Sequence, residues 1–447
     1  MINPVLEIRF GYGVRPGAPP ATVASYLSGL RRADPLAQSF PRPSLQHRID
    51  FYLGLQSARA DERNNKRGAG SRVMELEQTM RSIIGEDMRA YLGRATFSEN
   101  GFRERLVAFW ADHFTVSGRE PSIMLAVGAY LDEAIRPAIA GKFADMLRAV
   151  VTHPAMLLYL DQNTSIGPGS PQGLNTGQGL NENLAREVLE LHTLGVSGTY
   201  SQTDVRQLAE LFTGLSIDEN GFVYNAHAAE PGSEQILGKT YGSNNPVLSD
   251  IFAFLDDLAL NPQTASHIAS KLAVHFISEN PPAELVAGMA ETYQSSGGDL
   301  FEVYQTLLDH PASMKPPGAK AKWPTEYVVS SLRALDLGEE LLNASLDDLQ
   351  GLHTSLLAMG QDLFRASGPD GLSEAAADWI TPPTLAARIE WAGLLANEFG
   401  QDLDPRPLLD ETLGEVASPE LRFAVAEAES RWEGVALMLV SPEFNRR

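Results

Sequence analysis

Cysteine is absent from the 447 residues. That removes thiol nucleophiles, disulfides, iron–sulfur clusters and thiolate zinc sites together. Positive charge is scarce. Thirty-five Lys plus Arg stand against 57 Asp plus Glu, a net charge of −22. Such a surface repels phosphate backbones and anionic lipid, so nucleic acid is not an expected partner. Long apolar runs are missing as well. Ile123–Leu131 and Val435–Val440 fall short of the ~18 residues of a membrane span and suit buried helices, so no transmembrane segment is expected. The opening MINPVLEIRF has no basic segment followed by an apolar core, so it does not read as an export signal. A cytoplasmic protein and an exported one whose signal is not part of this sequence are both compatible with that.

Complete catalytic motifs are also missing. No H-E-x-x-H, G-x-S-x-G or G-x-G-x-x-G stands in a usable context, which argues against zinc proteases, α/β-hydrolases and dinucleotide enzymes. Gly232 to Thr240 imitates a phosphate loop, but with five residues between Gly232 and Gly238 instead of four. Asp161, Asn163 and Ser165 have calcium-loop spacing, but Ile166 stands where that loop needs Gly and Gln172 where it needs Glu. No cofactor is implied, and a metal would need a set of ligands outside the standard spacings.

What is present is helical periodicity in an ordinary globular composition of 43% hydrophobic and 21% charged residues. Leu106, Phe109, Trp110, His113 and Phe114 repeat at one helix face. Val205, Leu208, Ala209 and Phe212 do the same, after a cap at Ser201 with Asp204 three residues on. The expected fold is mainly α: one large multi-helical domain of about fifteen helices, with a small β-hairpin near 221–238 in which Gly221–Tyr224 and Gln235–Gly238 flank a Pro231-Gly232 turn. Two lobes, 1–160 and 181–447, are expected to meet at a Gly/Asn/Ser-rich loop over 161–180, within one continuous domain or two. Met314–Lys322 is expected as a surface loop. His153-Pro154, His310-Pro311 and Ser441-Pro442 each end one helix and open another, which reads as a reused junction.

The segment Asn181–Val196 carries the densest chemistry. Asn181 can cap its helix and Gly195 can end it. On an ideal wheel Glu187 falls about 40° from Leu191 and about 20° from Leu194, with Asn183 beside it. Glu182, Arg186 and Glu190 lie further out, four residues apart. These residues form a surface ion-pair ladder, or Asn183 and Glu187 face a desolvated cleft where a carboxylate has a raised pKa. His113 lies on the apolar stripe beside Trp110, where a hydrogen-bonded core histidine competes with a ligand or base. His192 has the same ambiguity, and His227 is a loop candidate for a ligand. His267, Lys271 and His275, four residues apart, read as a solvated stripe.

Seven blocks carry a resemblance: IRFGYG (8–13), FWADHFTVS (109–117), NENLAREVLELHTLGVSGTYSQTDV (181–205), LFTGLS (211–216), LGKTYG (237–242), KWPTEYVVSSLRAL (322–335) and SPEFNRR (441–447). Together they resemble the bacterial domain of unknown function 1800 family, across nearly the whole chain. The resemblance implies a mostly helical protein, and family features at His113, Asn183, Arg186 and Glu187. It also implies a partner protein encoded nearby and, for many members, placement outside the cytoplasm. Two functions are compatible with it. The first is a cell-envelope binding or assembly protein built around a buried His/Asn/Arg/Glu cluster. The second is a hydrolase in which Glu187 and His113 act as acid/base or metal ligands, Arg186 steadies an anion, and the 161–179 loop closes as a lid.

Overall fold

The computed structural model describes residues 4–318 and 320–447. Met1–Asn3, the start of the stretch inspected for an export signal, and Ala319 lie outside the described residues. The fold is mainly α, 63% helical, with 25 α-helices and two small antiparallel sheets among the described residues. The helices outnumber the expected fifteen because many are short and begin at proline. Pro154–Tyr159, Pro171–Thr176 and Pro442–Asn445 have Pro in the first turn, where its missing N–H costs nothing. The three repeated junctions work alike. His153 and His310 accept the Ala155 and Ala312 N–H, and Ser441 accepts that of Phe444. No described helix is long and apolar enough to cross a membrane.

Five helices position the chemistry: α1 Val5–Phe10, α2 Gly101–His113, α3 Asn183–Glu190, α4 Pro262–Phe276 and α5 Pro324–Ala334. In α2 the expected stripe is buried, but so are Arg103, Glu104 and Arg105. This helix is enclosed on nearly all sides, which an amphipathic pattern alone does not announce.

Two hairpins replace the single one expected at 221–238. β1 (Leu215–Asp218) pairs with β2 (Gly221–Tyr224), and β3 (Glu234–Ile236) with β4 (Lys239–Tyr241). Each closes locally. Leu237 and Gly238 both take positive φ, +50° and +79°, the signature of a tight type I′ hairpin turn. The Pro231-Gly232 stretch therefore links two hairpins instead of closing one.

The apolar core does not divide at 161–180. One cluster runs from Leu6 through Leu184 to Ala312, and a second joins Ile8, Tyr12 and Met88–Ala95 to residues from Tyr327 to Phe444. The 161–179 loop is docked. Gly167 N–H donates to the Ala228 carbonyl, Gln172 N–H to that of His227, and Gly169 N–H to Glu230 Oε2. The segment 314–322 is a surface loop only at its start. Met314 is exposed, whereas Lys320, Ala321 and Lys322 are buried, with Ala321 bridged to Arg446.

Candidate functional site

Asn181 Oδ1 accepts the Asn183 N–H at 2.8 Å in an Asx turn just ahead of α3; the N-cap position itself is Glu182, which makes no side-chain cap bond, so Asn181 lies one residue before the cap expected of it. Leu184, Ala185, Val188 and Leu189 face the core. The helix ends at Glu190, ahead of Gly195 with its φ of +84°. Between them the turn is widened. His192 N–H donates to the Glu187 carbonyl, Leu194 N–H to Leu189, and the Thr193 hydroxyl to Val188, each five residues back. An ideal wheel no longer holds beyond Glu190, so the angle expected between Glu187 and Leu194 does not apply.

The outer face of α3 follows the ladder. Arg186 Nη2 lies 3.1 Å from Glu182 Oε2 and 3.1 Å from Gln202 Oε1, half-exposed. Asn183 is exposed, and Glu190 lies beside Tyr200. The expected buried His/Asn/Arg/Glu cluster is therefore not assembled. Asn183 and Arg186 stand at the surface of α3, Arg186 held outward by Glu182 and Gln202, Glu187 is half-buried, and His113 is buried on α2. Glu187 makes no side-chain hydrogen bond or ion pair among the described residues. Burial raises its pKa, Glu190 and Asp370 add to the rise, and Arg186 opposes it.

His113 and His192 do come together. His113 Nε2 donates to the His192 carbonyl at 3.1 Å, and the rings stand 6.2 Å apart, with His267 6.1 Å from His113. Burial holds His113 well below the usual imidazole range, with Lys271 adding, and pushes His192 down to about 3. Both rings are neutral, and both Nδ1 atoms are buried without a partner. They serve as aromatic core, with Phe114 packed against each. His227 is exposed, and its N–H is held by Asn225 Oδ1. The solvated stripe on α4 is corrected. His275 is wholly buried, while His267 and Lys271 are half-buried, because this face packs against α2.

A second, larger polar assembly escaped the sequence. Glu326 on α5 binds Arg105 on α2 and Arg447, each at 2.8 Å. His275 donates from Nδ1 to Glu374 at 2.6 Å and accepts the Arg105 guanidinium at 3.0 Å on Nε2. Lys320 Nζ stands 2.6 Å from Glu374. Burial pushes Lys322 down to about 7, with Glu326 opposing, and its ammonium lies 4.4 Å over the Phe444 ring. The available signal was the concentration of polar residues in KWPTEYVVSSLRAL and SPEFNRR, two blocks of otherwise apolar helix.

Asp112, one residue before His113, is the other unforeseen group. Its Oδ1 accepts the Leu372 N–H at 2.8 Å, and it lines a cavity of about 90 Å³ with Tyr91, Thr115, Tyr130, Trp323 and Gln361. Burial pushes its carboxyl up to about 7, against the Leu372 N–H and Lys271, with Glu374 and Asp370 adding to the rise. Such a carboxyl exchanges a proton near neutral pH. Neither this cavity nor clefts of about 450 and 440 Å³ elsewhere is lined by His113, Asn183 or Glu187. Among the described residues no group of three or more His, Asp or Glu is placed to hold a metal ion.

A family model described as a protein of unknown function, DUF1800, matches residues 6–446. The chain belongs to the DUF1800 family. No curated protein and no solved structure matches it. In this DUF1800 protein the exposed α3 face falls within the matched span, as does the buried Glu326 assembly apart from Arg447.

Proposed function

We propose that this DUF1800 protein is a non-catalytic binding or assembly protein of the cell envelope, and that the polar face of α3 receives a basic segment of its partner protein. The supporting observation is Glu187. It is half-buried, carries no hydrogen bond or ion pair among the described residues, and stands in the field of two further carboxylates, Glu190 and Asp370. The nearest cation, Arg186, is already engaged by Glu182 and Gln202. A carboxylate in that setting gains from an incoming Lys or Arg, which supplies the missing counter-charge. Tyr159 and Tyr200, both in the field of Glu187, offer aromatic faces that suit such a cation. The overall charge of −22 favours a basic partner surface in the same sense.

The test is co-purification with the product of the neighbouring gene. Glu187→Lys combined with Glu190→Lys should abolish the complex and leave the melting temperature unchanged. Glu187→Gln should weaken the complex without destabilising the fold, because it removes a poorly solvated charge. An undiminished complex with the double charge reversal overturns the proposal.

A further inference from the structure

A cleft of about 440 Å³ lies at the end of α1, next to the buried Arg105 assembly, whose guanidinium donates to the Gly11 carbonyl in the cleft wall. Its walls are the chain from Gly11 to Ala21, the turn at Phe97–Glu99, and Arg333 near the end of α5. The volume is that of an ordinary small-molecule site.

Three polar groups in its lining are unspent. Glu7 is 8% exposed; its Oε1 accepts the Ala21 N–H at 3.0 Å, but Oε2 is buried with no hydrogen-bond partner. Arg333 is 7% exposed; its Nε binds the Gly13 carbonyl and its Nη1 those of Thr96 and Ser98, whereas Nη2 makes no hydrogen bond among the described residues. The Tyr26 hydroxyl makes none either. Glu7 and Arg333 feel each other electrostatically, yet they form no ion pair. Leaving a buried carboxylate oxygen unmatched is costly, and natural folds seldom do so without a use. The backbone is shaped to keep the space. A Cβ on Gly11 would stand 3.0 Å from the Tyr26 hydroxyl oxygen and 2.8 Å from the Glu7 carbonyl, so only glycine leaves the floor undisturbed. Burial raises the Glu7 pKa, as expected of a carboxylate lacking a full set of donors.

We propose that this cleft binds a small zwitterion, an α-amino acid or short peptide end, with its ammonium on Glu7 Oε2 and its carboxylate between Arg333 Nη2 and the Tyr26 hydroxyl. The chemistry follows from the pairing. Glu7, an acceptor that wants a cationic donor, and Arg333 with Tyr26, a donor pair that wants an anion, line one cleft without touching; Oε2 lies just under the surface and meets the ammonium on a small turn of the Glu7 side chain. A neutral sugar would meet the hydroxyl but leave the two charges unmatched. The inference is independent of the α3 docking face and uses none of its residues.

The experiment is titration calorimetry on the full chain with the proteinogenic amino acids one at a time, their N-acetyl and methyl-ester derivatives, and glucose. At least one free amino acid should bind, while its N-acetyl and methyl-ester forms bind far more weakly. Glu7→Gln keeps the Ala21 contact and should weaken binding roughly ten- to a hundredfold, the loss of one charge-assisted hydrogen bond. Ala18→Trp, at an exposed lining position, fills the mouth without touching the core and should abolish binding. No heat with any amino acid, equal affinity for the blocked derivatives, preference for glucose, or unaltered binding in both variants overturns the proposal.

Discussion

At the scale of single residues, environment decides the chemistry, and neighbours in sequence part company. His113 and Asp112 are adjacent, yet one is a neutral core ring and the other a carboxyl pushed up to about 7. An unfolded Asp titrates near 3.9. Between those values the unfolded chain releases its proton while the folded Asp112 keeps it. The stability linked to this proton is complete below about pH 4 and is lost as pH rises to about 7. Asp112→Asn keeps an acceptor for the Leu372 N–H and removes that slope. Urea denaturation at the two ends of the window should show the variant gaining roughly 1–3 kcal/mol on the parent from acid to neutral pH. His113 was visible as a member of an apolar stripe, His275 was read as solvated and His227 as a loop residue, but a stripe or a loop does not say whether a ring meets a carbonyl, a carboxylate or solvent. His113 meets the His192 carbonyl, His275 meets Glu374, and His227 is exposed.

At the scale of elements, local rules read well. Ser201 accepts the Asp204 N–H while Asp204 reaches back to the Ser201 N–H, the reciprocal cap expected from their spacing. Ser201→Ala should cost about 1 kcal/mol, measurable as a lower denaturation midpoint with an unchanged m-value. Caps are legible because donor and acceptor lie three residues apart, so no distant part of the chain is needed. Where a distant part intervenes, the reading slips. The last turn of α3 widens, and the wheel that placed Glu187 beside Leu194 fails with it. The 161–179 loop was identified by composition, but its docking on Ala228 and Glu230 depends on residues some sixty positions away. The hairpin reading failed in pairing and in two of the four strands. The residues of β2 and most of β3 were found, but each pairs with a nearer strand that was not foreseen, β1 or β4, and not with the other across Pro231-Gly232.

At the scale of the molecule, Glu326 links elements of both cores. Arg105 belongs to the helix that fills the first core, Glu326 to a helix of the second, and Arg447 to the described chain's last residue. All three are nearly inaccessible, at 1%, 3% and 0% exposure. A buried ion pair is often worth little against an apolar replacement, but losing one partner strands the other charge. Glu326→Gln leaves Arg105 and Arg447 without their shared carboxylate and should cost about 3–5 kcal/mol in equilibrium unfolding. If the loss is small, the assembly is not what joins the cores.

The sequence by itself determined the fold class, the Ser201 cap, the proline junctions and the family, because these rest on spacings of two to four residues or on extended runs. It also determined the excess of negative charge and the absence of thiol chemistry, which are matters of counting. Only the tertiary structure decided which polar residues are spent and which are free. Glu7, Tyr26 and Arg333 lie up to 326 positions apart and meet in one cleft, and Arg105, Glu326 and Arg447 meet in one buried assembly. Whether a charge finds a partner depends on which distant segments fold against it, and no pattern along a single chain encodes that proximity.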